Sequence, residues 1–401
     1  MAKRQSSRLK PGAKLRVGIA GLGVASTQVL PAFHAKAPYE LAGGADNRPE
    51  ARKAFSARYD CPAYANVEEL CSRDDVDAVW VSTPNPFHME HTVLAARHGK
   101  HVICEKPMAL DMRQCDRMIR ACADAGVRFV QGHSKIYQPP IRAIRDVVKS
   151  GKLGRVVQIQ ASNFNDWLQR PRLAPEVDTT KGGGIVYRQG PHLVDIVRFI
   201  GGGMVKSVRG VAGRADKYFK TEGHFSALLE FENGTVATLT LNGYGYFDVT
   251  ELTWGIGESG HVQSGGRVFP RADRPRIKGP ADPKRKSEGA EERGGHGSKN
   301  KEKKHQPFFG LTVVACEKGV VRQSPDGLYI YTEKGRKEVA CPDTLGREAE
   351  LGELAAALRA GRPVFPDGNW GKATLEVCLA ILASSKDGRL RRMKYQVPSP
   401  R

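Results

Sequence analysis

The chain has 401 residues, of which 40% are hydrophobic, and it carries a formal net charge of +20 at pH 7. This length is too great for one ordinary domain and predicts two. No window approaches the roughly 18 consecutive apolar residues that a membrane span needs, and the basic N-terminus leads into no apolar signal segment. We therefore expect a cytoplasmic protein that does not associate with membranes.

Two short segments account for most of the positive charge. Residues 1–16 contain six lysines and arginines and no acid, and residues 264–306 contain thirteen against six acids. Nucleic-acid binding is one interpretation of such charge. Because neither segment contains interleaved aromatic residues, we interpret them instead as a solvated basic tail, residues 1–13, and a mobile basic insertion, residues 264–306. A nucleic-acid partner is not expected.

The cysteines and histidines give little indication of a metal site. The eight cysteines form no CxxC pair, and scattered cysteines in a reducing compartment usually pack as small apolar side chains. His88 and His91 have the spacing of two ligands on one helix, but no third candidate lies close by in the sequence. We therefore expect no metal site.

The first third of the chain alternates between apolar strands and helices. Continuous apolar runs predict parallel strands that helices cover on both faces. The predicted strands are 15–20, 39–45, 76–82, 101–104 and 127–131, and the predicted helices are 24–36, 49–58, 88–98 and 111–125. This alternation predicts a doubly wound parallel sheet, a Rossmann domain, over residues 14–135.

The pattern changes after residue 136, where longer alternating strands replace the short apolar runs. A tight turn at Glu232-Asn-Gly-Thr235 predicts a hairpin. The predicted strands are 156–161, 225–231 and 235–241, and the predicted helices are 191–200, 347–360 and 370–386. We assign residues 136–401 to an α+β domain with a large, mostly antiparallel sheet, so that the whole chain is of the α/β class.

A glycine-containing turn joins the first predicted strand to the first helix. Gly21 permits the tight turn, Gly23 lets the backbone approach a pyrophosphate, and Val24 stands at the start of the helix. The N–H groups and the dipole of a helix N-terminus favour phosphate. The third glycine position of such a turn holds Ser26, so the pattern is imperfect. The turn nevertheless predicts a dinucleotide site.

The end of the second strand indicates which dinucleotide binds. Asp46 lies about twenty residues after the glycine turn, where a carboxylate accepts hydrogen bonds from the ribose hydroxyls. Such a carboxylate would repel a 2′-phosphate, so we expect NAD as the cofactor. Arg48 could neutralise that phosphate and leaves NADP open, and the alternative for Asp46 is a simple turn residue.

The loop after the third strand lies at the carboxyl edge of the sheet, where ligands bind in open α/β folds. Thr83, Pro84 and Asn85 form a proline-stiffened loop that can follow the cofactor. His88 either contacts the cofactor with them or simply begins the next helix. We include all four among the candidate cofactor-binding residues.

Glu105-Lys106-Pro107 follows the fourth strand at the same edge of the sheet. The ammonium form of a lysine is disfavoured beside a nicotinamide cation, so Lys106 could take a proton from a substrate hydroxyl or hold one beside an alkoxide. The alternative is a lysine that faces solvent. Glu105 and Lys106 are therefore candidate cofactor contacts, and Lys106 is a candidate catalytic residue.

These motifs stand in the order and at the spacing of the glucose–fructose oxidoreductase/inositol dehydrogenase/MocA family, which the chain resembles. Later segments resemble that family too: Gly151-Lys-Leu-Gly154, Gly182-Gly-Gly184, Gly190-Pro-His192 and Gly361-Arg-Pro363. The similarity extends over residues 14–260 and 345–390. The resemblance implies a nicotinamide-dependent oxidoreductase, and we expect a homo-oligomer, either a dimer or a tetramer.

The resemblance also implies roles for residues of the second domain. Lys106 and His192 would flank the substrate carbon that loses a hydride. Many members carry an aspartate four residues before that histidine, whereas this chain has Arg188. Lys106 or His192 must then take the proton, Arg188 becomes a candidate anion clamp, and Asp195 is a further candidate substrate contact.

Arg170 and Arg172 lie shortly before these residues and could converge on the same pocket. Guanidinium groups bind carboxylates through two hydrogen bonds, although pairing with protein acids is the alternative. Three stretches resemble a subgroup associated with phthalate dihydrodiol dehydrogenation: Trp167-Leu-Gln-Arg-Pro-Arg172, Tyr187-Arg-Gln-Gly-Pro-His192, and Phe308-Phe-Gly310 with the later Gln323-Ser-Pro-Asp-Gly327. We therefore expect NAD-dependent oxidation of a carboxylated cyclic cis-diol, with 4,5-dihydro-4,5-dihydroxyphthalate as the best candidate. The alternatives are a dehydrogenase of a sugar, inositol or sugar acid, and a non-catalytic, cofactor-sensing nucleic-acid-binding regulator.

Overall fold

The computed structural model describes residues 8–132, 134–262, 277–282, 285–286, 304–343 and 346–400. Within them the chain forms two compact units. The first contains the residues up to Ser134 together with Leu345–Leu375, and the second contains those of Lys135–Arg293, Gly297–Thr344 and Glu376–Arg401.

The first unit is built on a parallel six-stranded sheet in the order β3-β2-β1-β4-β5-β6. Its strands are β1 (Leu15–Ala20), β2 (Tyr39–Ala45), β3 (Ala63–Tyr64), β4 (Ala78–Val81), β5 (His101–Cys104) and β6 (Phe129–Gln131). Its first helices are α1 (Val24–Val29), α2 (Pro49–Tyr59), α3 (Val67–Cys71), α4 (His88–Arg97) and α5 (Met112–Asp124). The strand order reverses between β1 and β4, which is where ligands bind in such sheets. The predicted Rossmann sheet is confirmed.

The first helix is shorter than the sequence pattern predicts. It ends at Val29 instead of residue 36, and the chain continues as a single 3₁₀ turn over Leu30–Ala32. Pro31 has no N–H group to donate and its ring crowds the preceding turn, so it prevents the α-helix from continuing.

The chain returns to the first unit near its C-terminal end. Helix α9 (Gly346–Ala360) places Leu351, Leu354 and Leu358 in the apolar core that surrounds β1. Their spacing of three and four puts them on one face of the helix. In this structure Leu345–Leu375 therefore belongs to the first unit, whereas the sequence boundaries assign it to the second domain.

The second unit contains a nine-stranded sheet in the order β14-β13-β12-β11-β7-β10-β9-β8-β15. Only β7 and β10 among its described strands pair in parallel, so the predicted mostly antiparallel sheet is confirmed. The strands are β7 (Val156–Phe164), β8 (Val205–Gly213), β9 (His224–Phe231), β10 (Val236–Asn242), β11 (Leu311–Cys316), β12 (Gly319–Ser324), β13 (Gly327–Thr332), β14 (Gly335–Ala340) and β15 (Arg391–Arg392).

The helices of the second unit are α6 (Pro139–Lys149), α7 (Gly184–Arg188) and α8 (Gly190–Gly201), and α10 (Gly368–Asp387) carries the chain into this unit from the first. Every residue of α8 is buried. A Cβ on Gly201 would lie 2.8 Å from the ring of Phe231, so the end of α8 approaches the sheet closely. None of the helices in the described part of the chain is long and apolar enough to cross a bilayer.

Part of the basic insertion packs onto the second unit. The Ile277 side chain contacts an apolar cluster that includes Trp167, and its N–H donates to the Gln169 side chain at 2.9 Å. The N–H of Ala281 donates to the carbonyl of Arg172 at 2.6 Å. The described insertion residues are held by these contacts, and the expected mobility stays a prediction for insertion residues that lie outside the described ones.

Candidate functional site

The glycine turn after β1 is crowded at one glycine and open at the next. Gly21 has φ = 93°, and a Cβ there would lie 2.9 Å from backbone atoms of Ser82 and Thr83, so only glycine fits. A Cβ on Gly23 would meet no atom of the described residues within 4 Å. Val24 begins α1, whose first turn carries no acidic side chain. The accessible backbone at Gly23 fits a phosphate-bearing cofactor.

Asp46 follows β2 and is turned toward the glycine turn. Its carboxylate accepts the N–H of Leu22 at 2.9 Å and the guanidinium of Arg48 at 2.9 and 3.0 Å. Burial by itself would raise the pKa of Asp46, but the hydrogen bonds from Arg48 and Leu22 outweigh burial and lower it. The charged acceptor that a ribose needs is therefore present, and Arg48 is held against it, which favours NAD.

His88 links the two loops at the carboxyl edge of the first sheet. The side chain is 1% exposed, with Nε2 lying 2.8 Å from the carbonyl oxygen of Thr83 and Nδ1 lying 2.8 Å from that of Pro107. The hydroxyl of Thr83 also lies 2.9 Å from Nδ1 of His91. Pro84 is exposed and Asn85 is buried. His88 thus joins the loop that begins at Thr83 to the segment that ends at Pro107, while Thr83 is partly exposed and Pro84 is exposed.

A buried group of charges fixes the segment that carries Lys106. Glu105, the preceding residue, is 5% exposed, and its carboxylate lies 2.7 Å from the guanidinium of Arg347. Arg347 also donates to Glu350 at 2.9 Å and lies over the ring of Trp80. Burial would lower the pKa of Arg347, but the two carboxylates outweigh burial and raise it. Lys106 itself is partly exposed, directly beside this buried charge network.

His192 lies in the first turn of α8 and is 6% exposed. Its ring meets Phe309 edge to face, with 4.8 Å between the ring centres. The Nζ of Lys135 lies 5.0 Å from the centre of the same Phe309 ring and 3.0 Å from a carboxylate oxygen of Glu258. An aromatic ring thus shields one side of the imidazole, with a charged pair beside that ring.

Arg188, four residues before His192, donates to the carboxylate of Glu176 at 2.7 Å. Lys286 of the insertion lies 2.7 Å from the other oxygen of the same carboxylate. Burial by itself would raise the pKa of Glu176, but Arg188, Arg172 and Lys286 outweigh burial and lower it to about 2. Arg172 also stacks over Trp167 at 4.5 Å. Two cationic side chains thus contact one ionised carboxylate, and the charge of a third, Arg172, also acts on it.

The remaining predicted substrate residues lie elsewhere in the second unit. Arg170 donates to Asp166 at 2.7 Å and does not share Glu176 with Arg188. Asp195 is fully buried in α8. Burial lowers the pKa of the nearby Arg198 to about 10, and the negative charge of Asp195 partly offsets this effect. Arg172 and Arg188 therefore both act on Glu176, whereas Arg170 pairs with Asp166.

The glycines before α7 allow two loops to approach it. A Cβ on Gly183 would collide with the carbonyl oxygen of Pro175, and a Cβ on Gly184, the first residue of α7 with φ = 86°, would collide with Thr221 and Glu222. The carboxylate of Glu222 accepts the N–H of Val186 at 2.9 Å. The glycine run is thus what allows Glu176 to lie close to Arg188.

The second unit also has an open cavity of about 640 Å³, lined by aromatic and polar side chains that include Tyr218, His224 and Tyr244. None of the predicted site residues lines it, so we do not assign the substrate to it. Among the described residues no group of three or more His, Cys, Asp or Glu side chains is placed to hold a metal ion.

Sequence reasoning missed four charged residues that the structure places at these sites: Lys135, Glu176, Lys286 and Arg347. One feature of the sequence could have indicated Glu176, because this acid lies between Arg172 and Gly182-Gly-Gly184. Lys286 is separated from Glu176, and Arg347 from Glu105, by more than a hundred residues, so no local spacing could have revealed these two pairs.

Comparison with known protein families gives matches to two consecutive segments of the chain. A family profile described as an oxidoreductase family with an NAD-binding Rossmann fold matches residues 15–133. A second profile, the GFO/IDH/MocA C-terminal domain, matches residues 141–261.

Individual relatives extend this similarity over nearly the whole chain. A 1-carboxy-3-chloro-3,4-dihydroxycyclohexa-1,5-diene dehydrogenase from Comamonas testosteroni is 35% identical over 381 residues, 93% of this chain and 95% of that protein. The crystal structure of a proposed dehydrogenase from Bordetella bronchiseptica RB50 is 35% identical, with a TM-score of 0.86 over 95% of this chain and 100% of that chain. An Agrobacterium radiobacter oxidoreductase in complex with NAD⁺, L-tartaric acid and magnesium shares the fold at 18% identity and a TM-score of 0.71, over 95% of this chain and 98% of that chain. The chain therefore belongs to the GFO/IDH/MocA family and is an NAD-dependent dehydrogenase of that type.

Proposed function

We propose that this dehydrogenase oxidises a carboxylated cyclic cis-diol, with 4,5-dihydro-4,5-dihydroxyphthalate and its product 4,5-dihydroxyphthalate as the best candidates. The observation that carries this proposal is the position of Arg188 at Glu176, a carboxylate that also contacts Lys286 and is acted on by the charge of Arg172. Cationic side chains of this kind suit an anionic substrate. The Comamonas relative supports the same class, because its name specifies a carboxylated dihydroxycyclohexadiene.

Bound NAD supplies the acceptor for the hydride that leaves the carbinol carbon. In our proposal, Lys106 takes the proton of the reacting hydroxyl, and His192 orients that hydroxyl. The substrate thus loses one hydride and one proton, and its carbinol carbon becomes a carbonyl carbon. The carbonyl product then tautomerises, and the aromatic ring that results drives the reaction forward.

The other proposed site residues position these groups. Asp46 accepts hydrogen bonds from the ribose, and Thr83 and Pro84 contact the cofactor while His88 holds their loop. Arg188 binds a substrate carboxylate with one edge of its guanidinium group, while another edge donates to Glu176. For Asp195, the burial beside Arg198 supports a role in stabilising α8 instead of direct substrate contact.

The test is NADH formation by the purified protein with NAD and four compounds: the dicarboxylated cis-dihydrodiol, the matched diol without carboxylates, myo-inositol and a sugar acid. We expect the highest kcat/KM for the dicarboxylated diol. Faster turnover of inositol or the sugar acid would overturn the proposal in favour of the sugar-dehydrogenase alternative.

A further inference from the structure

The basic insertion is the sequence feature that the proposed function leaves unexplained. Some of its described residues pack onto the second unit: Ile277 contacts an apolar cluster and hydrogen-bonds Gln169, and Ala281 hydrogen-bonds the backbone of Arg172. Both partners lie in the loop of residues 166–176, which carries Arg170, Arg172 and Glu176. The insertion is therefore attached to the loop that faces Arg188.

Lys286 lies at the end of this attached segment and is anchored by its backbone. Its N–H donates to the carbonyl of Asp282 at 3.1 Å, and the side chain of Asp282 accepts the N–H of Arg285 at 2.9 Å. Only 21% of the Lys286 side chain is exposed. From this anchored position the ammonium group contacts the Glu176 carboxylate.

Each carboxylate oxygen of Glu176 contacts a different cationic side chain. Oε1 accepts from Arg188 at 2.7 Å, and Oε2 lies 2.7 Å from Lys286 and also accepts the N–H of Leu173 at 2.9 Å. A carboxylate that one cation already neutralises attracts a second cation less strongly. Lys286 therefore weakens the hold of Glu176 on Arg188.

We propose that Lys286 is a specificity-determining residue, which by neutralising Glu176 leaves the Arg188 guanidinium available to a carboxylate of the substrate. This inference rests on the proposed function, because it takes Arg188 as the residue that binds the carboxylate. Without Lys286, Glu176 binds Arg188 more tightly and competes with the substrate. The insertion thus determines how strongly this enzyme prefers an anionic diol over a neutral one.

The test compares Lys286→Ala and Lys286→Arg with Lys278→Ala, a matched control in the same segment whose ammonium group lies over the Tyr218 ring. For the dicarboxylated diol we expect Lys286→Ala to raise KM about three- to tenfold, within the range for coupled residues of one salt-bridge network. The kcat value, the KM for NAD and the kinetics with the neutral diol should stay near wild type. Lys286→Arg should restore KM, and Lys278→Ala should not change it.

An equal loss with the neutral and dicarboxylated diols, or an unchanged KM for both, would overturn the role of Lys286. A second readout separates this failure from failure of the proposed function. Phthalate, a dianion that is not oxidised, should bind the NAD-loaded wild type in calorimetry several-fold more tightly than it binds Lys286→Ala. One outcome is that the wild type and Lys286→Ala differ in phthalate affinity as expected while no carboxylated diol is turned over. In that case the proposed function fails, but the effect of Lys286 on anion binding by Arg188 stands.

Discussion

Replacing Glu176 with glutamine removes the carboxylate that contacts Arg188 and Lys286. The pKa of this carboxyl is about 2, against an ordinary value of 4.5. Since one pKa unit corresponds to about 1.4 kcal/mol, the ionised carboxylate stabilises the fold by about 3 kcal/mol at neutral pH. Because the pKa is depressed in the folded state, this contribution is fully present above pH 4.5 and is lost as the pH falls toward 2.

We therefore expect Glu176→Gln to lower the free energy of unfolding by about 3 kcal/mol at pH 7 and by about 2 kcal/mol at pH 3.5. Urea unfolding followed by tryptophan fluorescence at both pH values measures the two differences. The matched control is Glu317→Gln, which removes an exposed partner of Arg155 and should change the midpoint little. A difference below about 1 kcal/mol at pH 7, or one that does not shrink in acid, would refute the reasoning.

Three further substitutions test other parts of the account. Lys106→Ala should lower kcat by about two orders of magnitude with little change in NAD affinity, as loss of a positioned proton-transfer group does; near-normal turnover would remove Lys106 from the mechanism. Asp46→Ala should narrow the preference for NAD over NADP in equilibrium titrations, and tighter binding of NADP to the wild type would show the NAD preference to be mistaken. Arg347→Met leaves two buried carboxylates without their shared cation and should cost about 3–5 kcal/mol of stability. The control is Arg362→Met, which replaces an exposed arginine. Equal shifts of the melting temperature in the two variants would contradict a stabilising role of the buried charge network.

Local patterns predicted the first unit well because its strands and turns are short-range features. The apolar run at residues 15–20 and the glycines after it fix a strand and a turn without help from distant residues. Helix α1 is the exception, since the periodic pattern continued through Pro31 while the helix did not. The return of α9 to the first unit could not be predicted, because an apolar helix face does not specify which core it joins.

The sequence predicted the site residues that belong to one short motif. It did not predict the ion pairs between residues that are far apart in the chain. Asp46 and the glycine turn lie together as expected, because they end neighbouring strands of one sheet. Glu176 pairs with Lys286 and Glu105 pairs with Arg347, and only the fold brings these residues near one another. The predicted homo-oligomer stays a prediction, which sedimentation analysis of the purified protein would check.

The central claim is that this chain couples reduction of NAD to aromatisation of a carboxylated cyclic diol. Its most direct test is one reaction in which NADH is followed by absorbance and the organic product is identified by mass spectrometry. The account predicts that NADH and the dihydroxylated aromatic acid form in equal amounts from the dicarboxylated cis-dihydrodiol. Consumption of neutral polyols with no conversion of that diol would contradict it.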